Sequence, residues 1–486
     1  MNHAADQQKV SIHEKFRINA FRKDVLIYTS GSALIILFSL IQSFIIPKYL
    51  SVQDYGYWQF FLLYGGYVGI LHFGFLDGVL VRWAGKQLDE IGSELNTAFK
   101  FLVIEQVVVL VPLAVIISFV VPLPTQWIIL IVIVYSLILL VSTLFTIVMQ
   151  ATRHFKLLTV LNVARGLLFL LLVILLFFLG HFSYQIIILV HLVVYALILG
   201  FFIFYFRRYV FSNFSLAGCF SYAKTQISMG FFILVGNLMS ILILSVDRLT
   251  ISSSLPIEQF AFYAFALSIV NICYAFIRAI SDVLFPYLSL AKEELHAESY
   301  LKGKSAIFFL WAAFLCLYFP MAWIIQVYLP KYVESLPLIQ TLLALTAFGS
   351  IIQILHINYY KIYAKQKLYL LITSLALVLI VGFIYLAIYI SGVLQSIAIA
   401  MAAGFCAWYI ANHFALKSVT GEKNTEIIKD LLIIVIYFAA FQVASLVTSQ
   451  LIFQFLIYLI FFFVLSLGAF RSEIKSLLAL IPKVKN

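Results

Sequence analysis

Charge is what this chain has least of. Only 10% of its 486 residues are Asp, Glu, Lys or Arg, while 64% are hydrophobic. A soluble protein carries about 25% charged residues, so most of this chain must lie in lipid. Cysteine is scarce too: Cys219, Cys273, Cys316 and Cys406 stand far apart with no CxxC spacing. They read as small apolar filling rather than a metal or redox set. There is no GxxxxGK[ST] loop, no His/Cys cluster with metal-ligand spacing, and no GxSxG or other nucleophile motif. Catalytic residues, a metal and a cofactor are therefore not expected. Long polar segments are missing as well. The longest, near 82–96, 207–225 and 286–304, run to about twenty residues and cannot house a soluble catalytic domain. The other loops are too short and too poor in acids for a paired-carboxylate glycosyl-transfer site.

Apolar sequence fills the space that is left. Length and loop charge mark about fourteen spans. They cover roughly 25–46, 55–81, 97–120, 127–149, 157–179, 185–206, 226–246, 259–285, 305–326, 337–360, 368–390, 395–416, 431–448 and 451–469. The chain is expected to be an all-α polytopic membrane protein. Residues 1–23 are polar and basic, and the first apolar run lacks a small-residue cleavage site. It reads as a retained span rather than a signal peptide.

A formal net charge of +11 invites a nucleic-acid reading, but its distribution excludes one. One set of segments holds Lys9, Lys15, Arg17, Arg22 and Lys23, then Arg82, Lys86, Arg153, Lys156, Arg207, Arg208 and Lys224. It continues through Lys292, Lys302, Lys304, Lys361, Lys365, Lys367, Lys417, Lys423 and Lys429 to the tail from Arg471. The alternate set holds little beyond Lys48, Arg248 and Lys331. This positive-inside asymmetry places both termini in the cytoplasm and requires an even number of spans.

Sliding the chain on itself by 205 positions lays "LSVQDYGYWQFFLL" on "LPIEQFAFYAFALS", Gly31 on Gly236 and Asp77 on Asp282. Two spans of the same direction, six spans apart, imply a parallel repeat about an axis along the membrane normal. The organisation expected is a cytoplasmic segment 1–24, a first lobe 25–206, a linker 207–225 and a second lobe 226–416. Two further spans over 417–470 and a cytoplasmic tail 471–486 complete it.

Charged groups inside spans are costly and normally face protein or water. Asn271, Arg278 and Asp282 fall within about 40° of one another on one helix face, flanked by Tyr274 and Ser281. Arg278 and Asp282 suit an i, i+4 ion pair; the whole stripe suits a water-filled cavity. Arg165, with Asn162 one turn away, lies roughly 13 Å inward of Lys156 and has no acid on its own helix. Asp77 either pairs with Arg82 or faces the cavity. Asp247 and Arg248 read as a solvated span end or as a gate at the outer mouth. Glu105 is expected to answer Lys100 or Arg165. Gln353, His356 and Tyr360 share a face, and one histidine there is more often hydrogen-bonded packing than a proton relay; the same holds for His72. Asn237, opposite Ser32 in the repeat, adds polar lining.

Two stretches carry a resemblance. "FIIPKYLSVQDYGYWQFFLLYGGYVGILHFGFLDGVLVRWAGK" resembles the first hairpin of bacterial polysaccharide flippases. These are the O-antigen and capsule repeat-unit exporters of the multidrug/oligosaccharidyl-lipid/polysaccharide superfamily. "VDRLTISSSLPIEQFAFYAFALSIV…VLFPYLS" is similar to the start of that family's second half. The chain departs at Ala261, where glycine is expected to match Gly56. The resemblance implies two six-helix lobes around a central cavity plus two C-terminal helices, in the bacterial inner membrane. It implies transport of an undecaprenyl-diphosphate-linked oligosaccharide by rocking of the lobes, with polysaccharide polymerase and chain-length regulator as partners. Arg278 and Arg165 would draw in the diphosphate, and Asn271, Asn162, Tyr274 and Arg248 would line its path. Asp282, Asp77, Asp247 and Glu105 would balance charge or bind a coupling H⁺ or Na⁺. A cation-coupled drug exporter shares the fold but should have a more acidic cavity. A glycan polymerase or ligase should have one long outer loop.

Overall fold

Hydrocarbon offers no partner for a free backbone N–H or C=O, so a chain this apolar must close its hydrogen bonds within helices. The computed structural model describes residues 30–211, 218–290 and 296–470; the side chains at 93, 273, 275–290, 296 and 298 fall outside that description. The first part holds α1 (Ser30–Tyr49), α2 (Val52–Gly65), α3 (Phe75–Trp83), α4 (Leu88–Val120), α5 (Thr125–Ala151), α6 (Phe155–Phe178), α7 (Tyr184–Tyr205) and α8 (Arg207–Val210). Then come α9 (Cys219–Ile243), α10 (Val246–Ser254), α11 (Ile257–Leu290), α12 (His296–Leu315), α13 (Tyr318–Tyr328), α14 (Leu336–Ile351) and α15 (Ile357–Ile362). The last are α16 (Gln366–Ile390), α17 (Leu394–Thr420), α18 (Asn424–Val447) and α19 (Leu451–Ala469).

Among the described residues, 12 helices are long and apolar enough to cross a membrane, and a pair bent by 65°, Val52–His72 with Phe75–Trp83, makes a thirteenth. Helix α11 stands where the expected eighth span, 259–285, lies. The order is that read from the sequence. The ends shift where a helix outlasts its apolar run: α9 starts at Cys219, ahead of the expected 226, because "CFSYAKT" continues the helix on polar residues. Lys302 and Lys304, assigned above to a loop, lie inside α12.

The chain divides into two compact units, Met1–Leu238 and Met239–Asn486. In the first, Phe75, Trp83, Leu95, Leu102, Leu144, Phe145 and Phe202 form a shared core between α3, α4, α5 and α7. In the second, α14 is apolar all round and almost wholly buried, as such a helix must be. It packs between α11 and α17. The C-terminal pair α18 and α19 docks on the same unit through Tyr458, whose hydroxyl donates to the Ala312 carbonyl at 2.8 Å.

The repeat has a structural counterpart. Val52 and Ile257, the first residues of α2 and α11, are 205 positions apart, the shift at which the two segments align. The halves then diverge. After a 3-10 turn, Val68–His72, the first breaks at Phe73 (φ 49) and Gly74 (φ 87) before α3 begins. Gly74 takes the left-handed conformation at little cost. In the second half that position is Ala279, and α11 runs through it as continuous helix.

Candidate functional site

The break before α3 frees backbone groups inside the span and gathers polar side chains around them. His72 Nδ1 accepts from the Gly74 N–H at 3.1 Å. Its Nε2 lies 3.9 Å from Asp77 Oδ2. Asn237 on α9 donates to Asp77 Oδ1 at 3.5 Å, and Gln106 on α4 donates to the freed Leu71 carbonyl at 2.9 Å. Asp77 Oδ2, Gln106 Oε1 and Glu105 Oε2 have no hydrogen-bond partner among the described residues. Broken spans line ion and substrate paths in transporters for this reason.

Asp77 does not pair with Arg82. The Arg82 guanidinium forks onto Glu94 of α4, with Nε and Nη2 each 2.8 Å from a carboxylate oxygen, and Trp83 Nε1 donates to the same group. Glu94 sits across the bend from Arg82, whereas Asp77 is on the opposite flank of α3. Glu94 does not stand out in the sequence because it lies in the polar stretch 82–96, which reads as a loop.

Glycines hold α3 close to α9. A Cβ at Gly74 would lie 2.7 Å from the Phe231 backbone nitrogen, and one at Gly78 would overlap the Gln226 carbonyl. Backbones approach this closely only at small residues. That closeness brings Asn237 to Asp77.

Arg165 finds an aromatic face rather than an acid. Its guanidinium stands 4.7 Å from the Tyr195 ring centroid, and Tyr195 packs against Tyr135 and His191. A cation over a ring is stabilised by the ring's quadrupole. Asn162 is half-buried one turn away. Among the described residues Glu105 makes no ion pair with Lys100 or Arg165, and its Oε2 has no hydrogen-bond partner.

In the second unit, Asp247 is 1% exposed. Its Oδ1 accepts from the Arg248 N–H at 2.7 Å and its Oδ2 from the Tyr263 hydroxyl at 2.7 Å. It fastens α10 to α11 instead of facing solvent. Arg248 Nη2 reaches the Leu244 carbonyl at 3.4 Å. Asn271 is exposed, and the Tyr274 ring packs on Gly349 of α14. Arg278, Ser281 and Asp282 lie in the part of α11 whose side chains are outside the described residues.

One constellation escaped the sequence reading. Lys304 of α12 donates to Glu422, in the α17–α18 loop, and to Asp430 of α18, the latter at 2.8 Å. Tyr409 donates to the same Asp430 oxygen at 2.6 Å, and His413 Nδ1 lies 2.9 Å from Glu422 Oε2. Lys304, Glu422 and Asp430 are 4%, 3% and 4% exposed. Beside them, Tyr300 and His356 share a 2.9 Å hydrogen bond. His356 ends a π-helical turn, Ile352–His356, a distortion that often marks function. The only sequence signal was charge at Lys304, Glu422 and Asp430 beside otherwise apolar runs. Among the described residues no group of three or more His, Cys, Asp or Glu is arranged to hold a metal ion.

No family model and no curated protein matches this sequence. Solved structures do. A lipid II flippase MurJ, in an inward closed conformation, superposes with a TM-score of 0.70 over 92% of this chain and 100% of its own, at 12% identity. The chain has the fold of the MOP transporters. An inward-facing multidrug resistance MATE family transporter of the MOP superfamily also matches, with a TM-score of 0.57 over 81% of this chain and 96% of its own, at 14% identity. The expected all-α architecture is thus the one found, and at such identities the likeness speaks for the fold alone.

Proposed function

We propose that this chain is a flippase for a lipid-linked oligosaccharide, carrying an undecaprenyl-diphosphate-linked repeat unit from the cytoplasmic to the periplasmic leaflet by alternating access. It acts as a transporter, not an enzyme, in the bacterial inner membrane with both termini cytoplasmic. The observation that carries this reading is Arg165: a cation within a span, on an aromatic face, in no ion pair among the described residues. A guanidinium left without a carboxylate is available to an anionic headgroup, and a diphosphate accepts its forked donors. Tyr195 and Tyr135 beside it supply the flat faces and hydroxyls that suit sugars.

The rest of the path follows from this reading. Arg278 supplies the second cation, with Asn271, Asn162, Tyr274 and Arg248 along the glycan. Asp77, at the broken span with one bare oxygen, and Asp282, its counterpart in the repeat, balance the arginines when the cavity is empty or bind a coupling H⁺ or Na⁺. Glu105 and Asp247 complete that acidic set. Chain-length regulator and polymerase are the protein partners this role calls for, and an O-antigen or capsule unit is the cargo. The name of one structural neighbour, a lipid II flippase, supports a lipid-linked cargo. The drug-exporter alternative expects a more acidic, less arginine-rich cavity, and Arg165 without an ion pair among the described residues favours the anionic cargo over it.

The test is complementation of a flippase-null strain, scored by surface glycan, with insertion checked by membrane immunoblot. Arg165→Gln and Arg278→Gln should each lower export at least about tenfold, the cost of one charge-assisted headgroup contact. Normal export by both inserted variants sinks the cation-lined path.

A further inference from the structure

Helix α9 has a second flank that the path just described does not use. Gln226 and Gly230 press on α3: a Cβ at Gly78 would overlap the Gln226 carbonyl, and one at Gly230 the Gly74 carbonyl. At about 100° per residue, Phe220, Lys224, Ile227 and Phe231 fall within about 60° of one another, roughly 110° around the helix from that contact. Together with Phe101 of α4 they line an open groove of about 490 Å³ within the first unit. That volume is in the range of small-molecule sites, about 300–1,000 Å³. Phe101 forms the floor, its ring 4.7 Å from that of Phe75 in the shared core. Phe220 and Phe231 form the walls and are 71% and 49% exposed.

The groove has a charged end and an apolar length. Lys224 stands in the second turn of α9, exposed, and makes no ion pair among the described residues. The acids at the start of α4 are already engaged. Glu94 holds Arg82 and Trp83, Asp89 accepts from the Tyr209 hydroxyl at 3.3 Å, and Glu90 accepts from the Gln87 N–H at 3.3 Å. Ser228, one turn inward of Lys224, puts a hydroxyl on the same groove. From Phe220 to Phe231 the stripe runs about 16 Å along the helix axis, close to the ~15 Å of hydrocarbon in one leaflet. We propose that this groove binds one anionic phospholipid, its phosphate on Lys224 and an acyl chain along Ile227, Phe231 and Phe101. The proposal does not rest on the flippase reading.

The chemistry of the lining selects this occupant. A basic pocket between spans, at the end that the charge asymmetry assigns to the cytoplasm, suits an anionic headgroup. A zwitterionic headgroup would bring its own cation to Lys224, and no acid lines the groove to receive it. A polyprenyl diphosphate carries more charge and calls for the forked donors of arginine; the groove offers a single ammonium. A protein helix laid on the stripe would have to bury Lys224 and supply an acid for it. The lipid needs no such match, because its phosphate stays at the membrane surface while its chain covers the phenylalanines. Since the groove exists only where α4 and α9 are packed, bound lipid stabilises the folded first unit.

The test uses the full-length protein in detergent, given equimolar phosphatidylglycerol and phosphatidylcholine and read by native mass spectrometry. One lysine near an anionic headgroup is worth about 1 kcal/mol, so wild type should retain phosphatidylglycerol about fivefold over phosphatidylcholine. Lys224→Gln should bring that ratio close to one. Lys156→Gln, an exposed cation at the start of α6, should leave it unchanged. Ser228→Trp fills the groove from an exposed position and should lower retention of both lipids. A wild-type ratio near one overturns the site, because the groove then holds bulk lipid only. So does an equal drop in Lys224→Gln and Lys156→Gln, or wild-type retention by Ser228→Trp.

Two further readouts fix the place and the occupant. Phosphatidylglycerol should raise the unfolding midpoint of wild type by about 2 °C over phosphatidylcholine, and that of Lys224→Gln by neither more nor less than phosphatidylcholine does. Equal shifts in the two proteins overturn the headgroup contact. Phosphatidylglycerol with a photoreactive diazirine on its acyl chain should label the peptides around Phe101 and Phe231. Labelling confined to other helices overturns the groove. A polyprenyl diphosphate at equal concentration should leave the phosphatidylglycerol in place. Its displacement would assign the groove to the cargo lipid and overturn the proposal.

Discussion

Four glycines of the first unit allow backbone strain and helix overlap to be measured separately. At Gly74 the backbone is left-handed, φ 87, and a Cβ would lie 2.7 Å from Phe231 N, 2.8 Å from Gly230 C and 2.9 Å from Phe231 Cα. These are backbone atoms and cannot rotate away. Gly78 has no positive φ, but its Cβ would run into the Gln226 carbonyl. Gly85 is left-handed, φ 81, with open space around it, and Gly69 has neither problem. Alanine in a left-handed position costs about 1–2 kcal/mol. Overlap with a neighbouring helix costs about 1–3 kcal/mol, as surrounding atoms must shift. Gly74→Ala should therefore lose about 2–5 kcal/mol, Gly78→Ala about 1–3, Gly85→Ala about 1–2, and Gly69→Ala within about 0.5. At about 2–4 °C per kcal/mol, the order of unfolding midpoints should read Gly69→Ala, Gly85→Ala, Gly78→Ala, Gly74→Ala from high to low. The assay is fluorescence-detected size exclusion after heating, on fusions of equal expression. If Gly74→Ala and Gly78→Ala melt with Gly69→Ala, α3 and α9 do not cross this closely, and the approach of Asn237 to Asp77 falls with it.

Two further outcomes follow from buried polar groups. Lys304→Met should leave Glu422 and Asp430 buried without their cation and cost about 3–5 kcal/mol; adding Asp430→Asn should recover part of it, read as the unfolding midpoint. An unaffected Lys304→Met would show that the carboxylates reach water. Tyr263→Phe strips one of the two donors from Asp247 and should cost about 1–3 kcal/mol in the same assay, with Tyr57→Phe, half-buried on α2, as a control expected to be near neutral. Equal midpoints for the two would mean that Asp247 does not depend on Tyr263.

Span order was legible because hydrophobic length is a local property. A stretch such as 368–390 crosses a membrane by its own composition, and the structure places α16, Gln366–Ile390, there. The start of the repeat was legible for the same reason, since Ser51 before α2 and Pro256 before α11 are local start signals. Partnerships were not. Arg82 was read beside Asp77, five positions away, but it chose Glu94 on the next helix, where two parallel hydrogen bonds are available. Lys304 reads as loop charge because hydropathy alone treats a lysine at a span edge as solvated. Its partners stand 118 and 126 positions further on. His356 was read as packing; it does pack, yet it borders the most charged interior site described.

By itself, then, the sequence determined that the chain lies in lipid, that it is helical throughout its spans, and the order in which those spans come. Each of these follows from the free energy of moving a stretch of residues out of water, which needs no knowledge of its neighbours. Only the tertiary structure decided which charges meet. The cost of a buried charge depends on what stands within a few ångströms of it. For Lys304, Glu422, Asp430 and His413, that is set by how α12, α17 and α18 pack.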